Sequence, residues 1–366
     1  MKSEEHLLQT PVYNKHLDLK ARMVGFGGWN MPVQYNGILA EYEHTRTKAS
    51  LFDISHMGEF IIKGDYKQSG LDRLVTMKLS DLPVKSCRYG MLLNEAGGVI
   101  DDLIVFRMEE DKWFIVVNAA TKEKDLEHFR RRLSDEVDFV DVSDKTGKLD
   151  IQGPLSRQIL KKFIPEIEKL NYYTFENFDL LNERALVSRT GYTGELGFEI
   201  YFPWEKTAVL WDELLKCNDL KPAGLGARDV LRLEVGYSLY GHELNDQRNA
   251  LESGLGKFID FDKDFIGKEA LLKVKEAGPI NKIAGFISDS RRSPRADQPI
   301  LDKDLKDIGI VTSGTFSPSL NKGIGLGLIK SDCCFVGQEV LIGNEKNGLK
   351  GKIHSRIFYK NGSLKN

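Results

Sequence analysis

The chain has 366 residues, 41% hydrophobic and 29% charged, enough for two or three domains that each bury a core. A net charge of −2 argues against a nucleic-acid or membrane-surface role, and no apolar run approaches the length that spans a bilayer. The four cysteines show no CxxC spacing and the seven histidines no HExxH or His/Cys cluster, so reduced thiols and no metal are expected. The opening MKSEEHLLQT lacks the apolar core of a signal peptide and the Arg-rich character of a transit peptide, which points to the cytoplasm.

In chain order, residues 22–36 are rich in glycine and aromatics, and a helix is expected over Ile38 to Ala49. LFDISHMGEFIIKG then reads as a loop leading into a strand, and Gln68 to Leu79 as a short amphipathic helix with Leu71, Leu74 and Val75 inward. Strands are expected over Val99 to Arg107 and Lys112 to Asn118, a charged helix over 122–133, and short strands near 137–140 and 149–152. Gly153-Pro154 opens a helix from Leu155 to Phe163. Strands at Arg184 to Arg189 and FEIYF flank the turn GYTGELG; helices follow over Trp204 to Lys216 and Val230 to Val235. From Lys282 onward, short β-like segments alternate with turns, predicting a small all-β barrel or sandwich after a boundary near 276–281. Strands and helices interleave without a regular βαβ beat, so the class is α+β.

Asp101 and Asp102 stand out, two carboxylates inside a run of Val, Ile, Leu and Phe. Strand alternation sends them to opposite faces: Asp102 with Ile100, Ile104 and Phe106, Asp101 with Val99, Leu103 and Val105. A buried carboxylate is costly without partners, and backbone N–H groups around Gly97-Gly98 are the simplest partner for one of the two. In RTGYTGELGFE a tight turn accounts for the glycines but not for the acid Glu199 inside the next strand. Arg228, Asp229, Arg232 and Glu234 crowd one helical stretch, either as a surface network with i,i+4 spacing or as part of a site. GLGARD and GIGLGL complete neither a GxGxxG fingerprint nor a phosphate-binding loop, so turn glycines explain them better.

Seven segments in order, LFDISHMGEF, NEAGGVIDDLIVF, VVNAAT, SRTGYTGELGFE, PAGLGARDVLRLE, LYGHEL and SGTFSP, resemble the aminomethyltransferase (T-protein) family of the glycine cleavage system. The resemblance runs from FGGWNMPVQY to IFYK, almost the whole chain. It implies a three-part cloverleaf around a central folate channel: residues 1–50 and 145–275 forming a folate-binding domain, 51–144 a second α+β domain with the catalytic acid, and 276–366 a C-terminal β-barrel. It further implies transfer of a methylene carbon from the aminomethyl-dihydrolipoyl arm of a lipoylated H-protein to tetrahydrofolate, with release of ammonia. By residue-to-residue match, Asp102 is the catalytic residue, and Met57, Tyr89, Val116, Asn118, Tyr172, Tyr192, Glu199, Arg228 and Tyr237 line the folate. Arg295, in the basic segment SRRSPRAD, is expected at the H-protein rim. The chain departs from the family at Asn30, at Asn249-Ala250-Leu251 and at Ile357, positions that bear on loop shape. CCFVGQEV resembles a signature of folate-dependent relatives that assist iron–sulfur assembly, but it lies in the last β-rich segment and is read as coincidence. Rival readings are a folate-dependent demethylase of the same superfamily and a non-catalytic folate-binding accessory protein.

Overall fold

A computed structural model describes residues 7–365; the first six residues of the polar opening stretch lie outside the described residues. Two mixed layers and a barrel carry the chain. The first layer is a six-stranded sheet in the order Phe175–Leu180, Glu183–Ser188, Gly197–Pro203, Thr146–Gln152, Ala49–Asp53, Leu220–Pro222. All its pairings are antiparallel except that of Leu220–Pro222 with Ala49–Asp53. Leu210, Trp211 and Leu214 of the helix Thr207–Leu215, with Ile159 and Leu160 of Ser156–Leu160, cover Leu149, Ile151, Phe198 and Ile200 of this sheet. The expected loop at 51–57 is thus in part a strand. Ala49–Asp53 is buried at every position in mid-sheet, and it straddles the boundary expected between residues 50 and 51.

The second layer is an antiparallel sheet, Ser86–Leu93, Val99–Glu109, Lys112–Val117, Gly58–Lys63, Asp138–Asp141, backed by the helix Lys122–Arg130. Phe60, Leu103, Val105, Trp113, Ile115 and Phe129 fill the space between them. The helix expected over Gln68 to Leu79 shrinks to Leu71–Leu74. Val75 turns extended and Thr76 N donates to Met91 O, so β-branched residues extend the edge of the sheet where a helix end was expected.

The third part is a closed barrel of six strands, Asn281–Ser288, Lys322–Lys330, Asp307–Ser317, Pro299–Leu301, Glu339–Ile342 and Leu349–His354. Here the GIGLGL glycines find their reason. A Cβ on Gly325 would stand 2.3 Å from the ring of Phe286, the aromatic residue of the barrel core, so only glycine fits.

Two contacts bring the parts together around one region. Phe106, Phe114 and Val116 of the second sheet pack against Phe175, Leu186 and Tyr201 of the first. The helix Leu225–Glu234, longer than the expected Val230 to Val235, buries Ala227, Val230 and Leu231 against Tyr42 and Phe52. Its other face reaches the barrel, where Arg232 Nη2 donates to Ser313 Oγ at 2.9 Å.

Candidate active site

The strand Val99–Glu109 pairs with Ser86–Leu93 in a hairpin whose turn passes through Gly97 at φ +82°, a left-handed value suited to glycine. Register slips here: Leu92 faces Asp101, but Leu93 faces Val99, leaving Ile100 as a bulge. Strict alternation therefore fails at the first two residues. Ile100 packs with Leu103 and Val105 on the Asp101 side, while Val99 packs with Met91 and Leu93, the reverse of the expected facing. From Asp101 onward the alternation holds, and the two acids part as expected.

Asp102 faces the junction of the sheets. Its Oδ2 accepts from the Tyr89 hydroxyl at 2.9 Å and its Oδ1 from Asn118 Nδ2 at 2.8 Å. Burial and the neighbouring Asp101 charge raise its pKa to about 7, against these two hydrogen bonds. Burial, then the Asp102 charge, drives the Tyr89 phenol far above its ordinary value, so it stays a donor. Asp101, fully buried, does not bond the backbone around Gly97-Gly98; Asn118 supplies its backbone N at 3.0 Å and its Nδ2 at 2.9 Å. One asparagine thus ties both acids.

The first sheet contributes Glu199, whose Oε2 accepts from Thr190 Oγ1 at 2.6 Å and whose Oε1 lies 3.3 Å from Lys148 Nζ. Burial disfavours its charge, but Lys148, Thr190 and Arg228 outweigh that and hold its pKa below the usual carboxylate range. Lys148 is 1% exposed, with its ammonium 4.8 Å from the Tyr201 ring centroid and 3.5 Å from Met57 Sδ. Arg228 Nη1 donates to Asp150 Oδ2 at 2.7 Å, and its guanidinium lies 5.0 Å from the Tyr192 ring centroid. Tyr192 and Tyr237 rings are 5.7 Å apart, and Tyr172 reaches the Tyr237 hydroxyl. The Asp102 charge acts on Tyr192, and Tyr192 on Tyr89, so the two clusters form one polar region walled by tyrosines.

Of the residues expected from sequence, Asp102, Tyr89, Asn118, Tyr192, Tyr237, Tyr172, Glu199, Arg228 and Met57 converge here. Val116 stands apart from them: 2% exposed, its side chain belongs to the packing between the sheets. Arg295 is not part of the cluster; it is exposed on a turn before the barrel strand Pro299–Leu301, its backbone N on Gln298 Oε1 at 2.9 Å. The charges of 228–234 are not a surface network. Arg232 is 1% exposed and bonds Asp229 at 2.8 Å and Glu243 at 3.0 Å. Lys148, Asp150 and Tyr173, the last at φ +61° beside Tyr172, were missed. A non-glycine residue at positive φ leaves no mark in sequence, but two charges flanking Leu149 inside a buried strand are a signal that could have found the first pair.

The donor set suits a flat heteroaromatic with a guanidine-like edge: a carboxylate that keeps free lone pairs, a cation, and several phenol rings. Among the described residues no group of His, Cys, Asp and Glu is arranged to hold a metal ion, and no helix is long and apolar enough to cross a membrane.

The comparisons assign this architecture, two sheets that meet over a buried acid with a closed barrel appended, to the glycine cleavage T-protein class. The GCVT N-terminal domain family matches residues 12–263, and the glycine cleavage T-protein C-terminal barrel domain matches 281–360. The chain is 41% identical to an aminomethyltransferase of Pseudothermotoga lettingae, over 98% of this chain and 99% of that one. It is 43% identical to an aminomethyltransferase of Caldanaerobacter subterraneus, over 98% and 97%. A crystal structure of the glycine cleavage system aminomethyltransferase T from Bartonella henselae superposes with a TM-score of 0.92 at 30% identity, covering 97% of this chain and 99% of that one. The chain belongs to the aminomethyltransferase family of the glycine cleavage system.

Proposed function

We propose that the chain transfers the methylene carbon of an aminomethyl group, carried on the lipoyl arm of an H-protein, to tetrahydrofolate. Ammonia leaves, and the arm is left as the dihydrolipoyl form. Four free cysteines among the described residues suit a reducing cytoplasm for this reaction.

The observation that carries the proposal is Asp102, clamped by Tyr89 and Asn118 and balanced near neutrality on a wall shared with Tyr192, Glu199 and Arg228. Glu199, held ionised by Lys148, would accept from the donor edge of the pterin, and Tyr192, Tyr237, Tyr172 and Tyr89 would flank its faces. Asn118 and Met57 would complete the lining, and Val116 would act through the wall it stiffens. When bound, tetrahydrofolate supplies the nitrogen nucleophiles that take up the carbon. The protein's part is to orient and to hold charge. Tyr89 and Asn118 fix the Asp102 oxygens, so the carboxylate can stabilise positive charge on the carbon in transit and accept the proton released as the new bonds close.

The test is direct. Purified chain, aminomethyl-loaded H-protein and tetrahydrofolate are mixed and ammonia is followed; folate-dependent release is expected, and its absence with a competent H-protein removes the proposal.

A further inference from the structure

On the far face of the strand Val99–Glu109, away from the site, Asp101 meets a second acid, Asp125 of the helix Lys122–Arg130. Both side chains are 0% exposed. Asp101 receives two N–H groups, both from Asn118. Neither oxygen of Asp125 has an N–H donor; the Asp101 carboxyl and the Thr121 hydroxyl, which also serves Asp101, are what lie against it. Two ionised carboxylates do not persist face to face in an apolar interior, so one proton lies between them. The donors decide its place. The Thr121 hydroxyl lies against both, so the N–H groups discriminate: the acid served by two of them is the anion, and the acid with no N–H carries the O–H.

We propose that Asp125 is a neutral carboxylic acid that donates its O–H to Asp101, and that this bond keeps Asp101 ionised so that Asp101 orients the Asn118 amide against Asp102. Asp125 is then a positioning residue for Asp102, acting through Asp101 and Asn118, and it touches no substrate. The chain of contacts is short. Asn118 Nδ2 lies 2.9 Å from Asp101 Oδ1 and 2.8 Å from Asp102 Oδ1, so an anionic Asp101 fixes which end of the amide faces the site. Burial and the Asp101 charge push the Asp125 pKa up to about 11. Other charged and titratable groups around the pair leave this assignment intact. Lys124, on the same helix, is engaged by Asp246 at 2.9 Å and by the Tyr240 hydroxyl at 2.7 Å. Tyr240, from the segment after the helix Leu225–Glu234, feels both acids and stays a phenol. On the strand side stand Asp102 and, beyond it, Tyr89.

The proposal rests on Asp102 as the group that carries the reaction, but one of its readouts does not. In the full chain with aspartate carboxyls labelled with carbon-13, one carboxyl should remain protonated through the neutral range, and its signal should vanish in Asp125→Asn. Kinetically, Asp125→Asn keeps the shape and an N–H donor, so its pH–rate profile should match the parent. Asp125→Leu removes the donor, Asp101 takes up the proton, and its charge no longer opposes ionisation of Asp102. The Asp102 inflection should then move down by about one pH unit. A parent with no persistently protonated carboxyl overturns the proposal, as does Asp125→Leu with an unchanged profile. If Asp125→Leu does not fold, the labelled parent and Asp125→Asn decide alone. A chain without folate-dependent ammonia release that retains the protonated carboxyl sinks the reading of the reaction and leaves the proton where it was placed.

Discussion

Glu199 and Asp150 stand directly opposite each other on adjacent antiparallel strands, and each is paired with its own cation, Lys148 at 3.3 Å and Arg228 at 2.7 Å. Like charges in facing positions repel, so the four groups hold only as a set. Glu199→Gln therefore does two things. It should weaken tetrahydrofolate binding, measured by calorimetry, and it should leave the Lys148 ammonium buried without its carboxylate. The second effect should lower stability by about 3–5 kcal/mol in denaturant unfolding, the usual result of breaking one side of a buried pair. A variant with parent-like folate affinity would remove Glu199 from the site.

Asp102→Asn keeps shape and loses charge, and should lower the transfer rate by about two to four orders of magnitude while folate affinity falls far less. Asp101→Asn should act otherwise. It removes the anion that holds Asn118 and leaves Asp125 without its acceptor, so a loss of stability should accompany any loss of rate. Transfer abolished in Asp101→Asn and intact in Asp102→Asn would reverse the assignment.

The pH dependence has a definite sign. The Asp102 pKa is raised to about 7, so kcat/KM should climb as pH passes through that value and the carboxylate forms. The same shift bears on folding in the opposite sense. The native state keeps a proton that the unfolded chain releases near the ordinary value of 3.8, so this group's contribution to stability is full below that pH and is lost as pH rises through about 7. Asp102→Asn should thus gain in Tm relative to the parent as pH rises from acid to slightly alkaline. An unchanged Tm difference across that range would contradict the raised pKa.

Glu243 binds Arg232 at 3.0 Å and receives the hydroxyls of Thr312 at 2.5 Å and Ser313 at 2.7 Å, so one buried carboxylate joins the helix Leu225–Glu234 to the barrel. Burial works against its charge, but Arg232 and the two hydroxyls hold its pKa below the usual range. Glu243→Gln should cost about 3–5 kcal/mol. Calorimetry should show the barrel transition separating from that of the sheets; a single unshifted transition would deny the joint.

Arg295 is exposed on the barrel and outside the acid cluster, which suits a role in encounter with the carrier protein better than one in chemistry. Arg295→Glu should slow transfer from H-protein, more so at low salt, and leave a free aminomethyl-lipoamide donor nearly unaffected. Equal loss with both donors would argue against docking.

Much of the site was legible because its residues are out of place where they stand: acids inside a strand, a carboxylate in FEIYF, charges crowded on one helix. What escaped was set by partners that only folding supplies. Arg232 stayed open between a surface charge and a site residue because Glu243 and Ser313 come from other segments. Lys148 and Asp150 went unread because the residues that justify them come from distant segments, Glu199 on the adjacent strand and Arg228 on the helix Leu225–Glu234. The facing of Val99 and Ile100 was reversed because a bulge is a backbone event, and no side chain announces it.

That bulge also limits how this hairpin can vary by insertion or deletion. The pleat has a period of two, so the loss or gain of one residue between Leu93 and Asp101 would turn the strand over by one position unless the bulge absorbed it. Asp101 would then face the tyrosines and Asp102 the helix Lys122–Arg130, with Asn118 unable to hold either as it does now. Descendants of this gene can lengthen the barrel turn at residues 303–306, which are exposed, at little cost to chemistry. At Asn94 to Gly98 a change of a single codon in length that the bulge did not absorb would exchange the two acids, which makes the hairpin's residue count, and not only its residues, part of the inheritance of this site.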